Sequence, residues 1–448
     1  MGDGQRRRWR STWVAAAIAV GILAAALVGV SLGDESKGKK APSALEKTDE
    51  IAKKVAELRG LSIRHAIKRG VMTKAQIRQR ILERMDQEYD PDDLVAEGLA
   101  MKRMGMLPAD ADYKQMVIDL LTDEIAGFYD PWERELYIAG WQQNSGGMAD
   151  AIMAHEIDHA LQDQHFDLRD FMKAKKNNGD ATSARQALVE GDGMAIMIEY
   201  MMPSVSPWSD PRIVDMMTEN VSASSGSPAM AKAPMILREA LVFPYTEGLR
   251  FVAYFRQHQP WSRIDQIYKK PPLATEQILH PAKYETYERP DQITARPIEA
   301  LPGYHAAYDN VTGELGLQLL LRQHGIRDAA AELAAEGWGG DRMVVYAPKG
   351  NAGVVDGTIG VQYVVADHTA DAHELQDAFA DALASLCGPG STEKQRTDDR
   401  AVQLTADGKH ACISERRNDA VLLLVAAPAD TAETIRDQIW KTWKVTRH

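Results

Sequence analysis

The apolar positions of this chain change period several times, and each change marks a different kind of element. From Ser11 to Gly33 the run is uncharged and has no charged face. A helix of that length, rising about 1.5 Å per residue, spans roughly 34 Å and can cross a hydrocarbon core of about 30 Å. Between 44 and 106 apolar residues such as Ile51, Val55 and Leu58 recur at helical spacing, with breaks at Gly60, Gly70 and Pro91, which predicts a helical N-terminal region. Gly127-Phe128-Tyr129, a turn at Asp130-Pro131 and the β-prone Leu136-Tyr137-Ile138 then predict a β-hairpin. Helices follow at 148–162 and 181–202, separated by the polar stretch 173–180, and Pro203, Pro207 and Pro211 interrupt the chain. The helical period returns at 248–257 and 313–323. Past Gly337 the chain predicts strands at 343–346, 358–366, 401–404 and 420–425, and helices at 370–385 and 431–443.

These changes divide the chain into four parts: an N-terminal signal anchor over 1–33, a linker and helical region over 34–107, a mostly helical domain with a small β-sheet over 108–338, and a small α+β domain over 339–448. The fold class expected is α+β. Arg6, Arg7, Arg8 and Arg10 precede the uncharged run, so the positive-inside bias keeps the N-terminus cytoplasmic and carries the bulk of the chain out. Cleavage after an A-x-A pattern at Ala24 and Ala26 is the alternative, giving a secreted or periplasmic protein, but it would leave Leu27 to Leu32 as an apolar overhang. With 52 basic against 64 acidic residues the net charge is -12, which opposes nucleic-acid binding. Cys387 and Cys412 are the only cysteines, too few for a thiolate zinc ribbon, so any metal must rest on His, Asp or Glu. The two can pair in an oxidising compartment, or remain two buried thiols.

The chemistry concentrates in Ala151-Ile152-Met153-Ala154-His155-Glu156-Ile157-Asp158-His159. On a helix, His155 and His159 at i and i+4 stack on one face, so two imidazole nitrogens point at one ion. Glu156 sits about 100° round the helix, where its carboxylate reaches a water rather than a ligand position. Asp158 between the ligands is a charge that must face solvent or a partner.

A catalytic zinc needs a third protein ligand. His165 extends the pattern to H-E-x-x-H-x-x-Q-x-x-H, but Gln162 stands where a glycine would end the helix, and six further helical residues turn His165 about 240° from His159. Glu190 is the other candidate. Its neighbours at helical spacing, Ala187, Met194 and Met197, are apolar, so its carboxylate is buried and needs a cation, while Gly191 and Gly193 allow another backbone to come close. His155, His159 and Glu190 therefore form the expected zinc set, with Asp192 as an acceptor for a ligand histidine's outer N–H.

At these residues the sequence resembles the gluzincin-type, thermolysin-like zinc metallopeptidases, and more closely a set of exported bacterial zincin-like proteins. The resemblance runs over about 110–342. It is carried by Glu124-Ile125-Ala126-Gly127-Phe128-Tyr129-Asp130-Pro131, by His155 through Leu168, by Leu188-Val189-Glu190-Gly191-Asp192, by Thr275-Glu276-Gln277-Ile278-Leu279-His280-Pro281 and by Gly337-Trp338-Gly339-Gly340-Asp341-Arg342. It implies a zincin-like catalytic domain, one Zn2+, and a peptide or protein substrate laid along the edge strand of a sheet above the active-site helix, for which Leu136 to Ile138 is the candidate. It also implies a metalloendopeptidase activity in which Glu156 acts as base, with His280, and less strongly Tyr245 or Tyr284, as donor to the developing oxyanion. The competing reading is a non-catalytic, membrane-tethered extracytoplasmic protein that binds zinc as a scaffold.

Overall fold

The computed structural model describes residues 45–448 apart from 89, 126, 141–146, 174–176, 205, 225–226, 352 and 394–399. The expected membrane anchor lies outside the described residues. Among those described, no helix is long and apolar enough to cross a membrane.

The chain is α+β. It opens with helix α1 (Thr48–Arg59), which Gly60 ends in the left-handed region at φ 76°. Strand β1 (Lys68–Met72) follows, then α2 (Lys74–Glu88), α3 (Pro91–Arg103) and α4 (Tyr113–Glu124). Asp90 and Pro91 start α3, the Asp90 carboxylate accepting from Asp92 N–H, and Asp112 caps α4 through Gln115 N–H. The N-terminal region is thus not wholly helical. β1 pairs in parallel with a strand far along the chain, β3 (Glu135–Ala139), which also closes the predicted hairpin with β2 (Gly127–Asp130). The order β1-β3-β2 corrects the expected edge: Leu136 to Ile138 lie in the central strand, and among the described residues no strand pairs with the outer side of β2.

Two long helices come next, α5 (Gly147–Phe166) and α6 (Gly179–Met201). α6 is buried from Gly179 to Ile198 except at Arg185, the pattern of a helix surrounded on all sides. Around it pack α1, α5 and α8 (Met235–Arg256), the last reached through α7 (Pro211–Ser224). α8 starts well before the expected 248 and runs through Pro244, because a buried helix held by neighbours on both sides tolerates the missing N–H. The crossing of α6 and α8 is very close. A Cβ on Gly191 would sit 2.1 Å from the Gly248 carbonyl oxygen, and one on Gly248 would sit 2.1 Å from that of Ala187.

After α9 (Ser262–Lys269) and β4 (Gln292–Thr294), the remainder builds a second layer system. Strand β5 (Tyr304–Asn310) is followed by α10 (Gly313–Gln323), α11 (Asp328–Glu336), β6 (Trp338–Pro348), β7 (Ile359–Ala366), α12 (Thr369–Cys387), β8 (Thr392–Glu393), β9 (Ala401–Ala406), β10 (His410–Arg417), β11 (Ala420–Pro428), α13 (Ala432–Thr442) and β12 (Lys444–Thr446). Seven strands form one antiparallel sheet in the order β5-β6-β7-β11-β10-β9-β8. The sheet therefore begins at Tyr304, upstream of the 338/339 division drawn from sequence.

β7 and β11 read as continuous apolar runs because both faces are covered. Val361, Tyr363, Val365, Leu422 and Leu424 point to a core shared with Ile435, Ile439 and Trp443. Their neighbours Val364, Val421, Leu423 and Val425 point to the main core under α12. A disulfide joins Cys387 at the end of α12 to Cys412 on β10.

The helix crossing generates a test. Alanine favours a helix over glycine by about 1 kcal/mol, but overpacking against backbone costs more, so Gly191→Ala should lose roughly 2 kcal/mol net in chemical denaturation. Gly147→Ala, where nothing among the described residues lies within 4 Å of the added carbon, should be neutral or slightly stabilising. Equal stability of the two variants would contradict the crossing.

Candidate metal centre

The residues of α5 from Ala151 to Asp163 are all buried, and this stretch delivers the two histidines. His155 Nε2 and His159 Nε2 stand 3.0 Å apart, the rings edge to face. From α6, Glu190 Oε2 lies 3.2 Å from the first and 3.3 Å from the second. All three side chains are at most 1% exposed. The close approach of α5 and α6 depends on Gly193, where a Cβ would meet the His155 ring at 2.8 Å. The paired glycines of α6 thus serve two partners: Gly191 admits α8, and Gly193 admits a ligand ring.

The set fits a metal ion on its own geometry. Gln162 Oε1 accepts from His159 Nδ1 at 3.0 Å, which leaves the lone pair of Nε2 aimed at His155 and Glu190. Three such atoms repel one another unless positive charge lies between them. A tetrahedral zinc with bonds of about 2.0–2.1 Å would hold its ligand atoms roughly 3.3 Å apart, close to the distances here. The titration of the group has the same sense. Burial opposes charge on both rings, yet the carboxylate of Glu190 carries His159 up to about 10, while burial and His159 push His155 down. Glu190 is held down to about 2 by His159 and by its bonds to both rings, in spite of its burial. Among the described residues one other acidic group is close enough to hold an ion, Glu276, Glu288 and Asp367, and there Lys283 already supplies the cation.

Glu156 lies beside the three donors without joining them. It faces the edge strand β2, its Cγ 3.5 Å from where a Cβ on Gly127 would be. No protein donor stands in hydrogen-bonding geometry to either carboxylate oxygen, and burial pushes the group up to about 8 against the pull of His159. β2 is fixed to α5 by the Tyr129 hydroxyl, which donates to Asp163 at 2.9 Å.

Behind the ligands stands a polar layer that the sequence reading misassigned. Asp192 does not accept from a histidine. It takes two hydrogen bonds from Arg59, at 2.8 and 3.0 Å, and one from the Tyr268 hydroxyl at 3.1 Å. The acceptor for a ligand ring is Gln162, whose amide donates to Asp158 at 2.6 Å and to the Val189 carbonyl at 3.2 Å. Asp158 meets a partner rather than solvent: it is buried and accepts from the Gln162 amide, with Arg59 and Asp192 close by. Arg59 is wholly buried and also reaches Asp265 at 2.8 Å. The only signal for Gln162 was its position, three residues after His159 and four after Asp158 on one helix face.

The remaining candidates fall elsewhere. His165 is turned to the outside, its Nε2 2.8 Å from the Ser62 carbonyl. His280 pairs with Glu314 at 2.9 Å in a separate cavity, and the Tyr284 hydroxyl donates to the Lys270 carbonyl, so neither contacts the centre. Tyr245 is the one of the three suggested donors that is adjacent: its buried ring stacks on His155 at 6.3 Å.

Removing Arg59 would strand buried acids, so Arg59→Ala should cost about 3–5 kcal/mol in denaturant unfolding. Arg69→Ala, whose partner Asp49 is exposed, should leave the unfolding midpoint unchanged. A small loss for Arg59→Ala would show that the polar layer is open to water.

A family model described as a domain of unknown function (DUF8575) matches residues 301–436. That span holds the seven-stranded sheet with α10 to α12, and none of the ligand residues. No curated protein and no solved structure matches the chain.

Proposed function

We propose that this protein is a zinc-dependent metallopeptidase, membrane-anchored or exported, that hydrolyses peptide bonds. The observation that carries the reading is the convergence of His155, His159 and Glu190 on one point with the uncommitted carboxylate of Glu156 beside it. A zinc ion held by these three side chains supplies Lewis acidity at the scissile carbonyl.

The chain's own groups do the rest. In this reading Glu156, which lies beside the centre without joining the ligand set, takes a proton from the attacking water and returns it to the leaving amine. Gln162 holds His159 in the tautomer that presents Nε2. β2, whose outer edge carries no strand among the described residues, lies alongside Glu156 and is the edge on which an extended peptide adds as a further strand. This replaces the central strand β3 in that role. The Cys387–Cys412 disulfide supports an extracytoplasmic location for the bulk of the chain.

The test is zinc content measured together with cleavage of an unfolded protein. Glu156→Gln should keep one zinc and lose at least about a hundredfold in turnover. Glu190→Ala should lose zinc, and His165→Ala should keep both zinc and activity. Undiminished turnover in Glu156→Gln would remove the assigned base; a wild type that holds zinc yet cleaves nothing would favour the scaffold reading.

A further inference from the structure

Side chains alternate along a strand, so β2 turns Gly127 and Tyr129 toward α5. Gly127 rests on the helix at the base: a Cβ there would sit 3.5 Å from Glu156 Cγ and 4.0 Å from Ile152 Cγ2. That contact has no direction, and the strand could swing about it. The second contact is polar. The Tyr129 hydroxyl donates to Asp163 Oδ2 at 2.9 Å, with the two residues 3% and 7% exposed. Asp163 stands four residues past His159 on nearly the same face of α5, roughly 10 Å along the axis from Glu156.

Asp163 is engaged on both oxygens. Oδ1 accepts from the Leu168 N–H at 3.0 Å, which holds the carboxylate in place, and Oδ2 also lies 3.8 Å from Arg134 Nε. Arg134 belongs to the hairpin turn and takes a φ of 54°, but its side chain is 68% exposed, so its attraction adds little. The directional bond is the one from Tyr129. Tyr137 gives the contrast within the same hairpin: it pairs with Phe128 on the opposite face, and its hydroxyl donates to Glu133 at 2.8 Å. A peptide added to β2 takes its place from that strand, and an error of about 1 Å at the edge is enough to move a scissile carbonyl out of reach of the base.

We propose that Tyr129 and Asp163 are a positioning pair that sets β2 against the metal centre, and that the substrate is a polypeptide segment extended along the whole of β2 rather than a short blocked peptide. The inference rests on the peptidase reading above. Neither residue belongs to the ligand set; both act through the strand. With Gly127 as one point of contact and the Tyr129 hydroxyl as the other, the line of the edge relative to Glu156 is fixed, and main-chain hydrogen bonds to that edge place the substrate.

The experiment compares the zinc-loaded full chain with Tyr129→Phe, which keeps the buried ring and removes only the hydroxyl. For an internally quenched peptide long enough to pair with all four residues of β2, KM should rise at least about tenfold, the loss of one charge-assisted hydrogen bond, with kcat less affected. For a blocked dipeptide kcat/KM should be low in the wild type and the same in the variant. Asp163→Asn, whose amide can still bond the hydroxyl, should raise KM less than Tyr129→Phe. Tyr137→Phe, the same deletion on the opposite face of the hairpin, should change neither substrate. Zinc content should hold in every variant. Amide hydrogen exchange over 127–130, read without substrate, should quicken in Tyr129→Phe and not in Tyr137→Phe. Unchanged KM with unchanged exchange, or an equal loss on both substrates, overturns the pair. Faster exchange in Tyr129→Phe when the wild type cleaves neither substrate would contradict the peptidase reading instead, and reduce the bond to a structural tie.

Discussion

Two imidazole nitrogens and a carboxylate oxygen, all buried and within 3.3 Å of one another, cannot share that space without positive charge among them. That constraint organises the protein's helical half. It demands that α5 and α6 approach closely, which demands Gly193, and it demands that each ring be held from behind, which Gln162 does for His159. The close α6–α8 crossing at Gly191 and Gly248 then fixes α6 from its other flank.

α6 is surrounded by protein, yet it carries three buried carboxylates, and each is answered by a different element. Glu190 faces the histidines of α5, Asp192 takes the guanidinium of Arg59 from α1, and Asp180 accepts from the backbone and hydroxyl of Thr275. Arg59 makes the first described helix a structural part of the centre's surroundings, since its withdrawal would leave the buried Asp192 without its cation. The region after the expected anchor is therefore built into the fold.

Much of the helical half is legible in the sequence because its signals are local. The i and i+4 histidines, the apolar neighbours of Glu190 and the hairpin at Asp130-Pro131 each lie within one or two turns of chain. The misreadings share the opposite property. β3 becomes central only because Lys68–Met72 pairs with it from another part of the chain, and Asp192 meets Arg59 across 133 residues. His280 was assigned to the wrong cavity because Glu314, 34 residues on, decides where its ring points. The helical period predicts α8 only from 248, whereas the helix begins at Met235 and runs through Pro244 under packing from α6. Gln162 was read only as the absence of a glycine, although its spacing to Asp158 and His159 was visible.

What lies between those three atoms decides whether the centre is a zinc site. Zinc K-edge X-ray absorption on the zinc-loaded full chain reports it directly. A first shell of two imidazole nitrogens and one carboxylate oxygen at about 2.0–2.1 Å, reduced to one imidazole in His159→Ala, is the predicted result. A shell without paired imidazole scattering, or one that His159→Ala leaves intact, would mean that the ion binds elsewhere and that the centre is no catalytic site.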